Sequence, residues 1–348
     1  MKSLVLVGPY PPPWGGIAVH LRALHRFARS EGISVRVYDT GEGHPTRDGS
    51  EDVFRGGGAY GVASAVRGSF GQPLHAHISG NNAKAWLVAL SLGRPFRRQG
   101  PGAVLTVHSG LVPRFLEERA HRELARAAAI GFSNILCTNE SIASALHQAG
   151  VPAARLEVLT PFLPEEEPLP EPPPEVRALR ARARPLFAAA MAEGRQYGLE
   201  VLLGALDELS ERYPTMGLVV FGPGVGRLSA ERFPCLRGRA LFLEAVEHRI
   251  ARALIGTADV FLRPTLADGD SVSVREALSA GVRVVASDVG KRPPEATLFR
   301  VGDSNDLVRA VQASLSRPAP SPSVEVEEAK ARLLAAWEAI GISKRSGK

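Results

Sequence analysis

Short apolar runs alternate with amphipathic stretches along most of the chain. The first apolar run, Leu4 to Val7, is followed by apolar positions at helical spacing from Ile17 to Phe27 and by a second strand-like run from Ile33 to Tyr38. The same order continues through predicted helices at 83–92, 117–128 and 141–149 and predicted strands at 103–108, 134–138 and 156–159. This alternation predicts a doubly wound α/β domain with a parallel sheet.

A proline-rich stretch interrupts the alternation. Residues 161–185 hold eight prolines, which a central strand cannot accommodate, so an interdomain linker is expected there. The alternation then restarts, with predicted strands at 186–191, 217–221, 259–262 and 282–286 and predicted helices at 199–212, 250–255, 271–280 and 305–315. The sequence therefore predicts a second α/β domain.

These patterns divide the chain of 348 residues into segments of ordinary domain size. We predict a first domain over 1–163, a Pro/Glu-rich linker over 164–175 and a second domain over 176–323. The C-terminal segment 324–348 contains an amphipathic helix that is expected to pack back on the first domain. Strand carboxyl ends of two such domains are expected to face a cleft, where ligands bind.

Composition narrows the class of protein. Hydrophobic residues make up 45% and charged residues 22%, which is typical of globular domains. No apolar run approaches the roughly 20 residues that span a bilayer, and no signal peptide precedes the first strand, so a cytoplasmic location is expected. Cys137 and Cys235 lack disulfide or metal-ligand spacing, and no metal site is predicted.

The net charge of +6 leaves two interpretations open. Arginines on solvated faces explain it, and so does contact with an anionic partner. Arg-rich runs at 94–98 and 177–184 suit anionic lipid headgroups, which would make the protein peripheral on the inner face of the membrane. No aromatic-interleaved basic pattern is present, so nucleic acid is not an expected partner.

The most informative segment runs from the predicted strand 259–262 through a glycine loop into a helix. Asp268 lies in the loop and Glu276 lies eight positions later, so both carboxylates can point toward one pocket and accept hydroxyl groups. Backbone groups that could meet a phosphate at this helix start belong to Gly269, Asp270, Ser271 and Val272. The alternative is an Asp that caps the helix and a Glu that faces solvent.

This segment resembles the E-x7-E signature of the family 4 retaining glycosyltransferases, with Asp in place of the first Glu. The resemblance implies the GT-B fold, in which two Rossmann-like doubly wound parallel-sheet domains face a central cleft. It implies that Asp268 touches the donor sugar and Glu276 holds the nucleotide ribose. It further implies a nucleotide diphosphate sugar as donor substrate, a glycan or lipid-linked acceptor, no cofactor, and retention of anomeric configuration. By the same resemblance the first domain binds the acceptor and the second binds the donor.

The loop after the first strand supports the same resemblance. Gly15 and Gly16 stand where the family's paired glycines approach the donor diphosphate, and a residue without Cβ lets a backbone N–H come close to phosphate. A tight turn is the alternative for this pair. Gly222 and Gly224 follow the strand 217–221 without matching G-x-G-x-x-G, and the resemblance makes them pocket residues near the base.

Three histidines end or occupy predicted strands. His108 is similar to the family's strand-end histidine near the donor sugar and is the catalytic candidate. His75 and His77 resemble the His-x-His that family members often carry in the preceding strand. A structural histidine with satisfied hydrogen bonds is the alternative for each of them.

One feature of the family is absent. Family members place an Arg and a Lys five positions apart to neutralise the donor diphosphate, and alignment puts Ala192 and Tyr197 at those positions. The leaving group needs a cation, because electrostatic stabilisation is commonly the largest catalytic contribution. Arg195, Arg263 and Arg275 are candidates, and we favour Arg263 because it ends an apolar strand.

Two other functions stay open at this stage. A nucleotide-sugar epimerase or phosphorylase of the same fold would act without a separate acceptor. A catalytically silent, transferase-like subunit that binds a partner would explain the missing Arg/Lys pair.

Overall fold

The computed structural model describes residues 3–41, 52–93, 101–164, 167–192, 194–227, 234–321 and 327–342. The Arg-rich run at 94–98, part of the predicted linker and both ends of the segment 324–348 lie outside these ranges. The chain divides into two compact units, one formed by Met1–Glu165 with Glu325–Lys348 and the other by Glu166–Val324.

Strands and helices alternate in both units. The strands are β1 Leu4–Gly8, β2 Val35–Asp39, β3 Val53–Arg55, β4 Leu74–Ile78, β5 Ala103–Val107, β6 Asn134–Cys137, β7 Leu156–Val158, β8 Leu186–Ala190, β9 Gly217–Phe221, β10 Ala240–Leu243, β11 Val260–Arg263, β12 Arg283–Ser287 and β13 Thr297–Phe299. The helices are α1 Gly16–Ser30, α2 Gly58–Gly68, α3 Ala83–Gly93, α4 Val112–Phe115, α5 Arg119–Ala129, α6 Glu140–Gln148, α7 Pro174–Arg182, α8 Leu199–Arg212, α9 His248–Thr257, α10 Val272–Ser279, α11 Ser304–Leu315 and α12 Glu327–Ala339.

Each unit is built on one parallel sheet. The order is β3-β2-β1-β4-β5-β6-β7 in the first unit and β10-β9-β8-β11-β12-β13 in the second. The inner strands β1, β4, β5, β8 and β9 are buried almost throughout, as expected for parallel strands covered by helices on both faces. The predicted pair of doubly wound α/β sheets is therefore confirmed.

The order of strands reverses at one place in each sheet, and this position is where open α/β sheets bind ligands. In the first unit the reversal falls between β1 and β4. In the second unit it falls between β8 and β11. In each unit, the loops that follow the two strands at the reversal are therefore the expected location of a site.

Helix α12 packs within the first unit. The indole Nε1 of Trp337 donates to Nδ1 of His75 on β4 at 3.0 Å, and Nε of Arg332 donates to Glu157 on β7 at 2.7 Å. Trp337 and His75 are both fully buried. The last helix is thus tied to two strands of the first sheet.

Helix α7 was not expected, because it lies inside the proline-rich stretch. It begins at Pro174, and proline is tolerated in the first helical turn because the N–H it lacks has no partner there. Val176 and Leu179 are buried in the second unit, and Arg180 pairs with Asp259 at 2.5 Å. No helix in the described ranges is both long enough and apolar enough to cross a bilayer.

Candidate functional site

The loop after β11 leads into α10, the helix that the sequence predicts here, at the carboxyl edge of the second sheet. Ser271 precedes α10, and its side chain forms no capping hydrogen bond to the helix. The first N–H groups of a helix have no partner within it and carry partial positive charge. The start of α10 can therefore accept an anion such as phosphate.

Asp268 is engaged by two arginines. Its Oδ2 accepts from Nε of Arg263 at 3.0 Å and from Nη1 of Arg292 at 3.1 Å, and its Oδ1 accepts from the backbone N–H of Gly269 at 3.1 Å. Burial alone would raise the pKa of Asp268, but the two guanidinium groups hold it below the ordinary value of 3.8. Asp268 is therefore an anion, and Arg292 is a partner of it that the sequence did not reveal.

Glu276 lies on α10 and has a different partner. Its Oε1 lies 2.5 Å from Nε2 of His248, at the start of α9, and both side chains are buried. No protein donor contacts Oε2 of Glu276 in the part of the chain that the structure describes. That oxygen is able to accept a hydrogen bond from a ligand hydroxyl. Asp268 and Glu276 share no partner within the same ranges, so their convergence on one sugar nucleotide stays a prediction.

Asp270 and Arg275 form a closed pair beside these residues. Arg275 donates to Asp270 through Nε at 2.6 Å and Nη2 at 2.8 Å, and the Asp270 side chain is fully buried. The bidentate geometry neutralises both charges. Next to the pair, the N–H of Lys291 donates to the carbonyl of Gly269 at 2.7 Å, which fixes the loop before α10.

The loop that lacks the family's Arg/Lys pair lies against Arg263. The Arg263 guanidinium carbon is 5.9 Å from the centre of the Tyr197 ring. Gly198 has a φ of +73°, and a Cβ there would collide with the carbonyl oxygen of Pro264. Arg195, in the same turn, is exposed. Of the two positions that lack the family's Arg and Lys, Tyr197 thus lies beside Arg263.

The glycine loop after β9 is held by an acidic side chain. Glu244 accepts from the N–H groups of Gly224 at 2.6 Å and Gly226 at 3.1 Å. Gly222 has a φ of +136°, and a Cβ there would overlap the carbonyl oxygen of Met191, which directly follows β8. The loop therefore requires glycine at Gly222, while the N–H of Gly224 already has an acceptor.

In the first unit, three histidines gather near the carboxyl ends of β4 and β5. Nδ1 of His77 lies 3.2 Å from Nε2 of His108, and the ring of His20 on α1 lies 5.3 Å from each of the other two ring centres. Burial, with smaller contributions from neighbouring histidines, lowers the pKa of His77 and His108 well below 6.5. Burial lowers the pKa of His20 to about 4, although a hydrogen bond with the backbone of Pro161 acts to raise it. These imidazoles are neutral at pH 7.

Within the part of the chain that the structure describes, His20, His77 and His108 also form a group that could hold a metal ion. One ring nitrogen from each of His20, His77 and His108 lies within 4.8 Å of the other two. Nδ1 of His20 and Nε2 of His77 are buried and have no protein partner in the described ranges. Neutral imidazole nitrogens bind transition metals and also bond to hydroxyl groups. His20 was missed from the sequence because it lies far from His77 along the chain.

His75 has a structural role by contrast. Its Nε2 lies 2.7 Å from Oγ1 of Thr106, and its Nδ1 accepts from Trp337. Both ring nitrogens of His75 have hydrogen-bond partners in the core. Neither partner belongs to the cluster of His20, His77 and His108.

Gly15 and Gly16 stand at the start of α1, after β1. Gly15 precedes the helix without a side-chain cap, and both glycines are exposed. A Cβ added at either position would meet no atom within 4 Å. The space at this helix start is open, so an anion has room to approach the backbone N–H groups there.

Comparison with known proteins connects the second unit to a family. Residues 182–317 match the family described as Glycosyl transferases group 1. A phosphatidylinositol N-acetylglucosaminyltransferase chain of Arabidopsis thaliana is 26% identical over 156 residues, covering 43% of this chain and 34% of the relative. Phosphatidyl-myo-inositol mannosyltransferase of Mycolicibacterium smegmatis is 35% identical over 106 residues, covering 30% and 27%. The alignments thus span about a third or less of these relatives.

Solved structures extend the likeness in fold to nearly the whole chain. Sucrose-phosphate synthase from Thermosynechococcus elongatus has a TM-score of 0.70 at 19% identity, covering 97% of this chain and 96% of the other. Anabaena HepE in complex with UDP and glucose has a TM-score of 0.64 at 18% identity, covering 98% and 94%. The expected GT-B fold and the resemblance to glycosyltransferases are confirmed, and residues 182–317 of this chain match the Glycosyl transferases group 1 family.

Proposed function

We propose that this chain transfers a sugar from a nucleotide diphosphate sugar to a glycan or lipid-linked acceptor, with retained anomeric configuration, in polysaccharide or glycoconjugate biosynthesis. The observation that carries the proposal is the family match over 182–317, which includes the anion-accepting start of α10 and the open carboxylate oxygen of Glu276. The names of the relatives, which act on phosphatidylinositol lipids, favour a lipid-linked acceptor.

The residues of the second unit suit a nucleotide diphosphate. The N–H groups at the start of α10 and the guanidinium of Arg263 would counter the diphosphate charge, which grows as the sugar bond breaks. Oε2 of Glu276 would accept from the ribose hydroxyls. In the mechanism that the resemblance implies, the acceptor hydroxyl attacks on the face from which the diphosphate leaves. The departing phosphate takes the hydroxyl proton, so no side-chain base is needed.

The first unit supplies two further candidates. His108 is neutral and could bond to a sugar hydroxyl, while Gly15 and Gly16 leave room for an anion at the start of α1. The arginines of the run 177–184 give little support for lipid contact, because Arg180, Arg182 and Arg184 bond within the second unit. A cytoplasmic location, with or without a peripheral membrane contact, stays a prediction.

The first test is nucleotide binding. Thermal unfolding is measured with UDP, GDP and ADP and with their 2′,3′-dideoxy forms, for the native chain and for Glu276→Gln. A ligand at 100 times its Kd stabilises the folded state by about 2.7 kcal/mol. We expect one diphosphate to raise the melting temperature. We also expect Glu276→Gln to lose about 10- to 100-fold in affinity for that nucleotide while the dideoxy form binds both chains alike, because a charged acceptor contributes about 1.5–3 kcal/mol.

The second test separates the alternative functions. The preferred nucleotide sugar is incubated with and without glycan and lipid-linked acceptors, and both nucleotide release and loss of the donor are measured. Release that depends on an acceptor supports the transferase. Consumption of donor without an acceptor indicates an epimerase or phosphorylase, and binding with no turnover indicates the silent subunit suggested by Ala192 and Tyr197. Absence of binding to every nucleotide contradicts the proposal.

A further inference from the structure

Positive charge exceeds negative charge at the reversal point of the second sheet. Arg263 and Arg292 share the single carboxylate of Asp268, because the neighbouring Asp270 is already paired with Arg275. The side chains of Arg292, Asp268 and Arg263 are only 3%, 12% and 14% exposed. An unbalanced charge in so buried a place is unfavourable unless a counter-ion joins it. The cluster therefore favours an anionic ligand.

Arg263 is placed to meet that ligand. It ends β11, and its Nη1 donates at 3.1 Å to the carbonyl of Ala190 at the end of β8, the neighbouring strand at the reversal point. The Tyr197 ring lies near its guanidinium. Its Nη2 has no protein acceptor in the described ranges, so this nitrogen keeps donors for a ligand beside the start of α10.

Arg292 differs because each of its three guanidinium nitrogens donates a hydrogen bond inside the protein. Its Nε donates to the carbonyl of Ser287, its Nη1 to Asp268 and its Nη2 to Oγ1 of Thr265, each at 3.1 Å. The Thr265 hydroxyl is also 3.3 Å from Asp268. Arg292 is thus fixed against the carboxylate and too buried to contact a ligand directly. Its influence on a ligand must act through Asp268 and Arg263.

We propose that Arg292 is a positioning residue that occupies Asp268, so that Arg263 keeps its positive charge for the donor diphosphate. The Arg292–Asp268–Arg263 cluster then replaces the Arg/Lys pair whose places are taken by Ala192 and Tyr197. This inference rests on the proposed nucleotide sugar donor. It gives Asp268 a role in setting the charge of Arg263, which differs from the sugar contact implied by the resemblance.

The charge balance explains why Arg292 matters. With Arg292 present, the cluster carries one net positive charge. Without it, Asp268 neutralises Arg263, and an approaching diphosphate meets a carboxylate with no surplus cation. Removing the charge of Asp268 as well returns the net positive charge to Arg263. The double variant therefore binds better than the single one, which loss of structure alone would not produce.

The experiment measures binding by calorimetric titration of UDP, GDP and ADP and of the matching monophosphates. The variants are Arg292→Gln, Arg292→Lys and the double variant Asp268→Asn with Arg292→Gln. Arg283→Gln is the matched control, because Arg283 lies at the amino end of β12 and its guanidinium donates to the carbonyls of Ser314 and Arg317, away from the site. Circular dichroism and thermal unfolding confirm that each variant is folded.

We expect Arg292→Gln to bind the preferred diphosphate at least tenfold more weakly, with less than a threefold change for the monophosphate. Arg292→Lys keeps most of the affinity, the double variant recovers at least threefold over Arg292→Gln, and Arg283→Gln is unchanged. A folded Arg292→Gln with native diphosphate affinity overturns the inference, and so does a double variant no better than the single one. If the native chain binds no diphosphate, the proposed donor is wrong, which is a separate result.

Discussion

At the scale of single residues, the sequence predicted the local elements that carry Asp268 and Glu276 and missed the distant partners of both carboxylates. The spacing of Asp268 and Glu276 predicted a loop followed by a helix, and the structure has both. Their partners Arg292 and His248 lie 24 and 28 residues away. No local pattern marks a buried arginine or histidine as the partner of a particular carboxylate, since the pairing depends on how strands and helices are placed.

The His248–Glu276 pair gives a test of this kind of distant contact. Both side chains are less than a tenth exposed, and Oε1 of Glu276 lies 2.5 Å from Nε2 of His248. His248→Leu leaves a buried carboxylate without that partner, so we expect the free energy of unfolding to fall by about 3 kcal/mol. Urea unfolding followed by circular dichroism measures the change.

Two comparisons make the His248 result specific. Arg309→Ala breaks the exposed Arg309–Asp306 pair and should change the unfolding free energy by no more than about 1 kcal/mol. The double variant His248→Leu with Glu276→Leu should recover part of the loss, because an apolar pair of similar volume avoids the buried charge. Equal stability of His248→Leu and the native chain would show that the pair contributes little.

At the scale of elements, most apolar runs were predicted as strands, and a few short strands and glycine- or proline-rich helices were missed. The bounds of α8 and β9 agree with the sequence prediction at both ends. Strands β3 and β10 were not predicted, although β6, β7 and β11, which are as short, were. Helix α2 was missed as well, and its three glycines disfavour a helix. Helix α7 was obscured because prolines surround it, although proline at its start is compatible with a helix.

Among the elements, we expect α12 to be the most sensitive to a single substitution. Trp337→Phe keeps most of the buried aromatic surface but removes the N–H that bonds to His75. The ring nitrogen of His75 is then buried without a donor, which costs about 1–3 kcal/mol. Urea unfolding followed by circular dichroism measures the loss, and limited proteolysis should cut α12 earlier in this variant.

A control on the same helix separates the hydrogen bond from general effects. Glu338 is exposed and adjacent to Trp337, and Glu338→Ala should alter stability by no more than about 0.5 kcal/mol. If Trp337→Phe unfolds at the same urea concentration as Glu338→Ala, the contact with His75 does not hold the helix.

At the scale of the whole molecule, the two units should respond differently to acid. Among the described residues of the first unit, four buried histidines have lowered pKa values: about 4 for His20, about 3 for His75, and well below 6.5 for His77 and His108. Burial is the main cause in each. In the second unit the carboxyls of Asp259 and Asp268 have pKa values held below 3.8. Those carboxyls affect the free energy of unfolding only at pH values well below those at which histidine takes up a proton.

The direction of the pH effect follows from which state takes up protons. An unfolded histidine binds a proton as pH falls through about 6.5, while the folded rings stay neutral, so acid favours the unfolded first unit. Each ring can contribute up to about 1.4 kcal/mol for each pH unit below 6.5, until the pH nears its folded pKa. We therefore expect the first unit to lose several kcal/mol between pH 7 and pH 5, while the second unit changes little.

Tryptophan fluorescence can separate the two units, because Trp14, Trp86 and Trp337 all belong to the first. Urea titrations at pH 7, 6 and 5 should show the fluorescence midpoint moving to lower urea, while the remaining circular dichroism transition moves less. His75→Gln keeps a polar side chain in the core but removes one ionisable ring, so its fluorescence midpoint should depend less steeply on pH. A midpoint that is constant from pH 7 to pH 5 would mean that these rings are as easily protonated in the folded chain as in the unfolded one.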